Sequence, residues 1–235
     1  MQSKIVTVIP LRGINLKIGI ISYLKPKMTI EQEILRLGQK QSIVTHNELL
    51  KLGISTKAIE ELIASNILSV EVKDVYSIEQ SDWGKYHASV KITAKYPVGI
   101  ICLANALTFH ECTTQMPGQV TIAVPNQNFT RSEQSLPIRF VYMDRVAYHQ
   151  GINVHIIEGR PVKIYSLAKT IVDCFEFSEH VGMEVAYEAV EESFRTKRIT
   201  KNEVLAYAKD RCFDPEVEED FTRAIAHPEQ IYIFI

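Results

Sequence analysis

The chain has 235 residues, 46% of them apolar and 23% charged, with a net charge of −2. This is the composition of a folded globular protein, long enough for two small domains that each bury a core. Its four cysteines form no C-x-x-C pair and its seven histidines form no H-x-x-x-H or H-E-x-x-H group. The thiols therefore read as reduced core residues of a cytoplasmic protein, and neither a metal nor a cofactor is expected. No apolar run reaches the roughly 18 residues of a membrane span, so no membrane partner is expected either.

Charge is unevenly spread along the chain. Residues 1–28 carry +5 without a single acid, residues 29–80 carry −3, residues 81–165 carry +3, and residues 166–235 carry −7. The first stretch is broken by Pro10, Gly13, Gly19 and Pro26, and Arg12 and Lys17 interrupt its apolar pieces. It reads as a basic N-terminal extension and not as a secretory signal. An arm along DNA, an added strand and a plain extension are all compatible with it.

Thr29 opens the first clear helix, with Gln32 at the capping-box position, the stripe Ile30, Ile34 and Leu37, and Gly38 as its stop. A second capping box pairs Thr45 with Glu48, followed by Leu49, Leu50 and Leu52, and Gly53 ends that helix by tolerating a left-handed backbone. Ser55 is a good cap for a third helix carrying Ile59, Leu62 and Ile63, and Ile54 fills the turn between the two. Two short helices joined by a tight glycine turn make a helix-turn-helix. Asn66 closes the third helix. Leu68, Val70 and Val72 then alternate as a strand, Lys73-Asp74 turns, and Val75–Ile78 returns. Three helices and a hairpin predict a winged helix-turn-helix over residues 29–80.

In such a unit the second helix of the pair lays its leading residues toward base edges. Ser55, Thr56 and Lys57 lie off the apolar stripe and are the candidate DNA contacts, joined by Thr45 and Lys51 from the preceding helix and by Tyr76 from the wing. Glu60 reads as plain surface. A DNA-binding unit at −3 is electrostatically awkward, because neutralising phosphates supplies much of the affinity. Lys40, Lys51 and Lys57 would have to share one face.

Residues 81–235 predict a mixed α/β C-terminal domain. Helices are expected over His87–Tyr96, Leu103–Thr114, Leu167–Phe177, Met183–Phe194, Lys201–Lys209 and Val217–Ala226. Strands are expected over Val120–Val124, Ile138–Tyr142, Val154–Ile157 and Val162–Tyr165, with a last apolar strand at Ile231–Ile235. The fold class is thus α+β. Phosphate-binding loops and a nucleophile elbow are absent, and His110 reads as a hydrogen-bonded core residue. Glu158, Asp173 and Glu176 are the acids from which a metal-dependent nuclease would be built, although Asp173 sits in mid-helix.

The order of these parts resembles the AbiEi family of bacterial antitoxins. The resemblance is carried by V-T-H-N-E-L-L-K-L-G-I-S-T-K-A-I-E-E-L at 44–62, V-Y-S-I at 75–78, G-I-I-C-L-A-N-A-L-T-F-H at 99–110, V-T-I-A-V-P at 120–125 and G-R-P-V-K-I-Y-S-L-A-K-T-I-V-D at 159–173. It covers about residues 29–210. Lys169 stands where the family usually has Arg, and the wing lacks a glycine before Val75. The resemblance implies a winged helix-turn-helix that binds inverted repeats in double-stranded DNA of its own promoter. It also implies a C-terminal antitoxin domain countering a nucleotidyltransferase-like toxin of a type IV toxin–antitoxin operon, directly or indirectly. The residues themselves form no catalytic constellation, so no enzyme activity is expected. A nuclease in the C-terminal domain and a stand-alone ligand-responsive repressor are the alternatives.

Overall fold

The computed structural model describes residues 28–79, 81, 83–125, 129, 137–209 and 211–229. The basic extension before residue 28 and the expected strand at Ile231–Ile235 lie outside these residues. The fold is mixed α+β, with two sheets and helices packed around them.

Three helices come first: α1 (Ile30–Gly38), α2 (His46–Lys51) and α3 (Thr56–Ala64), with a short strand β1 (Ile43–Thr45) between the first two. Each helix start is capped as the side chains predict. Thr29 and Thr45 form reciprocal capping boxes with Gln32 and Glu48, and the Ser55 hydroxyl accepts from Ala58 N. The stops also follow residue chemistry, with Gly53 at φ +83° and Asn66 at φ +56°. Strands β2 (Leu68–Val72) and β3 (Val75–Ile78) turn at Asp74, φ +67°. The three strands form an antiparallel sheet in the order β1-β3-β2, so β1, which has no periodic signal of its own, lies beside β3. Ile34, Leu49, Ile54, Ile59, Leu62 and Leu68 close the core of this first unit. Ile54, 3% exposed, fills the turn as expected.

The second unit is a five-stranded sheet in the order β6-β5-β4-β8-β7, made of β4 (Ile100–Ile101), β5 (Val120–Val124), β6 (Ile138–Tyr142), β7 (Ile152–Ile157) and β8 (Arg160–Tyr165). Pairs β5–β6 and β4–β8 are parallel, β4–β5 and β7–β8 antiparallel. The helices are α4 (His87–Lys95), α5 (Leu103–Phe109), α6 (Arg145–His149), α7 (Leu167–Glu176), α8 (Ser178–Val181), α9 (Met183–Arg195), α10 (Lys201–Ala208) and α11 (Pro215–Ala226). Helix α5 ends at Phe109, five residues short of the expected Thr114, because the chain goes left-handed at Glu111, φ +55°. Helix α6, capped by Asp144, was not anticipated.

Two apolar cores flank this sheet. One packs Ile100, Ala123, Val141 and Tyr165 against α5, α7, α9 and α11. The other packs Ile101, Ile122, Val162 and Ile164 against α4, and it also takes in Ile43, Val72 and Val75 of the first unit. The two units therefore share a core. At roughly 25 cal/mol per Å² of apolar surface removed from water, such a seam holds them far more firmly than a linker would. Among the described residues, no helix is long and apolar enough to cross a membrane.

Candidate nucleic-acid interface

The leading face of α3 is open. Ser55, Thr56, Lys57, Glu60 and Glu61 are all exposed, and no described residue of the second unit covers them. The burial of Ile59 and Leu62 sets this orientation, since residues three and four apart share the inward face and leave 56, 57 and 60 outward. The Lys57 side chain is 85% exposed, and its ammonium lies 3.9 Å from Glu61 across one helical turn. An exposed pair of this kind contributes little and is screened by salt, so the ammonium is available to an external anion.

The other candidates fall in different places. Thr45 is half-buried, and its hydroxyl is engaged in the α2 cap. Lys51 is exposed at the end of α2. Both border a groove of about 670 Å³ between α2 and the β7–β8 hairpin, lined also by Asn47, Lys95, Arg160 and Lys163. Tyr76 corrects the expectation of a wing contact. It is 7% exposed, its ring lies in the core of the first unit, and its hydroxyl meets His46 Nδ1 at 3.1 Å. Strand β3 is the central strand of its sheet, so an inward residue there faces helices and not solvent.

The acidic balance of residues 29–80 has a structural answer that the sequence did not suggest. Three of its carboxylates are met by cations of the second unit. Arg160 forks onto Glu48 at 2.8 and 2.9 Å, Lys91 reaches Glu71 at 2.9 Å, and Lys95 stands 4.0 Å from Asp74. These three cations offset the formal −3 and leave Lys51 and Lys57 facing outward. Glu48 is opposed by burial, but the bonds from Arg160 and Thr45 outweigh it and hold the carboxyl below its ordinary value. Nothing in the sequence pairs residues more than 100 positions apart, so only the fold could reveal Arg160.

The acids considered for a nuclease do not converge. Glu158 sits at the tip of the β7–β8 hairpin, bonded to His87 and Gly84. Asp173 is fully buried and held at 2.7 Å by Lys169 and 2.8 Å by Arg211, and Arg211 also meets Glu176 at 2.7 Å. The Tyr165 ring lies 4.0 Å from the Lys169 ammonium. Burial shifts both members of the central pair toward neutrality, lowering Lys169 and raising Asp173. A cation placed here would have to displace two positive side chains. Among the described residues no group of three or more potential ligands could hold a metal. His110 is hydrogen-bonded as expected, its Nε2 lying 2.8 Å from the Tyr165 carbonyl oxygen, but it is half-buried and stands at the edge of the core, not in it.

In fold the chain is similar to the crystal structure of the Rv2827c protein from Mycobacterium tuberculosis, with a TM-score of 0.59 over 84% of this chain and 76% of that one, at 11% identity. The likeness bears on the mixed α+β fold alone. No protein-family model matches the chain, and no curated protein matches it.

Proposed function

We propose that the chain is a DNA-binding antitoxin and autorepressor of the AbiEi kind, with residues 29–80 acting as a winged helix-turn-helix and the remainder as the antitoxin domain. The observation that carries the reading is the exposed leading face of α3, with Ser55, Thr56 and Lys57 covered by none of the described residues. The order helix, strand, helix, turn, helix, hairpin supports it, as does the sheet order β1-β3-β2. The cations of α4 and β8 remove the electrostatic objection by neutralising acids beside the helix pair. In this reading Thr56 and Lys57 enter the major groove, and Lys51 and Thr45 lie toward the phosphate backbone.

The test is binding to duplex DNA from immediately upstream of the reading frame, compared with a scrambled duplex across a salt series. Tighter, salt-sensitive binding to the upstream duplex is expected. Lys57→Ala should weaken it, and Lys51→Ala should flatten the slope of log K against log salt by about 0.9, the amount for one lost phosphate contact. Equal, weak binding to both duplexes would sink the reading. The antitoxin half is tested separately, by co-expression with the product of any adjacent nucleotidyltransferase-like reading frame. Rescue of growth supports it, and failure of rescue removes it without touching the DNA claim.

A further inference from the structure

The β7–β8 hairpin reaches out of the five-stranded sheet and ends inside the first unit. Its tip is built for that contact. Glu158 is left-handed at φ +49°, and Gly159 follows at φ +75°. A Cβ on Gly159 would stand 1.7 Å from the Lys40 carbonyl oxygen, so only glycine lets the tip approach. The Glu158 carboxylate accepts from the Ser42 hydroxyl, from Gly84 N at 2.7 Å, and meets His87 Nδ1 at 2.8 Å, while its carbonyl accepts from Ser42 N at 3.3 Å. One residue thus clasps the entry to β1 and the segment that joins the two units. Next to it, Arg160 donates to the Ile43 carbonyl at 3.1 Å and forks onto Glu48, whose Oε2 also accepts from Thr45 N at 2.8 Å to cap α2.

We infer that this hairpin tip is a latch: Glu158 and Arg160, borne by the sheet, hold β1 and the start of α2 closed, so that the opening of the leading edge of the helix pair is governed from the second unit. The latch is distinct from the shared apolar seam. Ile43, Val72 and Val75 keep the units together whether or not the tip is engaged, whereas the tip acts on residues 40–48 and on Gly84–His87. Glu158 and Arg160 are positioning residues. The latch requires neither of them to touch a duplex. The latch itself does not depend on the DNA reading, although its use in binding would.

Amide hydrogen exchange on the full chain tests it, in Glu158→Gln and Arg160→Met. Glu158→Gln should accelerate exchange at Ser42 and Gly84, and Arg160→Met at Thr45 and Glu48. About tenfold is expected at each, the size of one lost charge-assisted hydrogen bond. Amides of β5 and α7 should keep their wild-type rates. Gly159→Ala, which must part the tip from Lys40, should accelerate all four sites together. Trp83, the single tryptophan, stacks on His87 at 4.5 Å and reports the same event through its emission. A uniform rise across both units would mean plain destabilisation and would overturn the latch, as would unchanged exchange at the four sites. Loss of DNA binding in these variants with wild-type exchange would also count against it, whereas a wild-type protein that fails to bind DNA while the exchange pattern holds leaves the latch standing.

Discussion

Glu48 is bound from two directions, and that is the kind of residue a sequence pattern half describes. Its capping role follows from Thr45 three residues earlier, while its bond to Arg160 depends on a strand more than a hundred residues away. Tyr76 shows the opposite case. Alternation allowed it to face either way, and the central position of β3 turned it inward. Tyr76→Phe should therefore cost about 1 kcal/mol in denaturant unfolding, for the lost bond to His46, and, under the proposed function, leave affinity for DNA unchanged. A marked fall in affinity would restore the wing contact. Lys169 and Asp173 stand one helical turn apart, and both are fully buried. Lys169→Met leaves Asp173 with Arg211 but without its nearest partner, and should cost about 3 kcal/mol or more in chemical denaturation.

Among elements, the helices were the most legible. Five of their starts rest on Thr29, Thr45, Ser55, Ser166 and Thr200, whose hydroxyls accept the backbone donors that the chain order assigns to them. The strands of the large sheet were legible as apolar runs. Strand β1 was not, because three residues carry no period and its partner β3 lies thirty residues on. The seam between the elements has a pH dependence with a definite sign. Burial works against the Glu158 charge, but the donors Ser42, His87 and Gly84 outweigh it and hold the carboxyl below the usual 4.5; Glu48 is lowered likewise. A carboxyl lowered on folding stabilises the native state above its unfolded value, and that contribution fades as pH drops through the folded value. Below about pH 4.5 the tip should loosen first, seen as a change in Trp83 emission ahead of any loss of far-UV circular dichroism. Simultaneous change of both signals would argue against it.

For the molecule as a whole, the order of elements divides the sequence into residues 29–80 and 81–235, and the shared core of Ile43, Val72, Val75, Ile101, Ile122 and Val162 joins the two. Near neutral pH, urea unfolding followed by Trp83 emission and by circular dichroism should give one coincident transition, because neither unit can expose its side of that core alone. Two separated transitions would show the units to be thermodynamically independent. The uneven charge also takes on meaning only at this scale. An acidic first unit is answered by Lys91, Lys95 and Arg160 of the second, so the charge around the helix pair belongs to neither stretch by itself.

What the amino-acid order determined by itself is local: helix starts, glycine and asparagine stops, the apolar stripe that leaves Ser55, Thr56 and Lys57 outward, and the mixed α+β character. Each depends on residues within a turn or two, where hydrogen bonds and periodicity act at fixed spacing. Only the tertiary structure decided that Tyr76 is buried beside His46, that Arg211 reaches Asp173, and that Glu158 and Arg160 grip the first unit. Those contacts join residues far apart in the chain, and their partners are chosen by which strands lie side by side, a matter that no local pattern encodes.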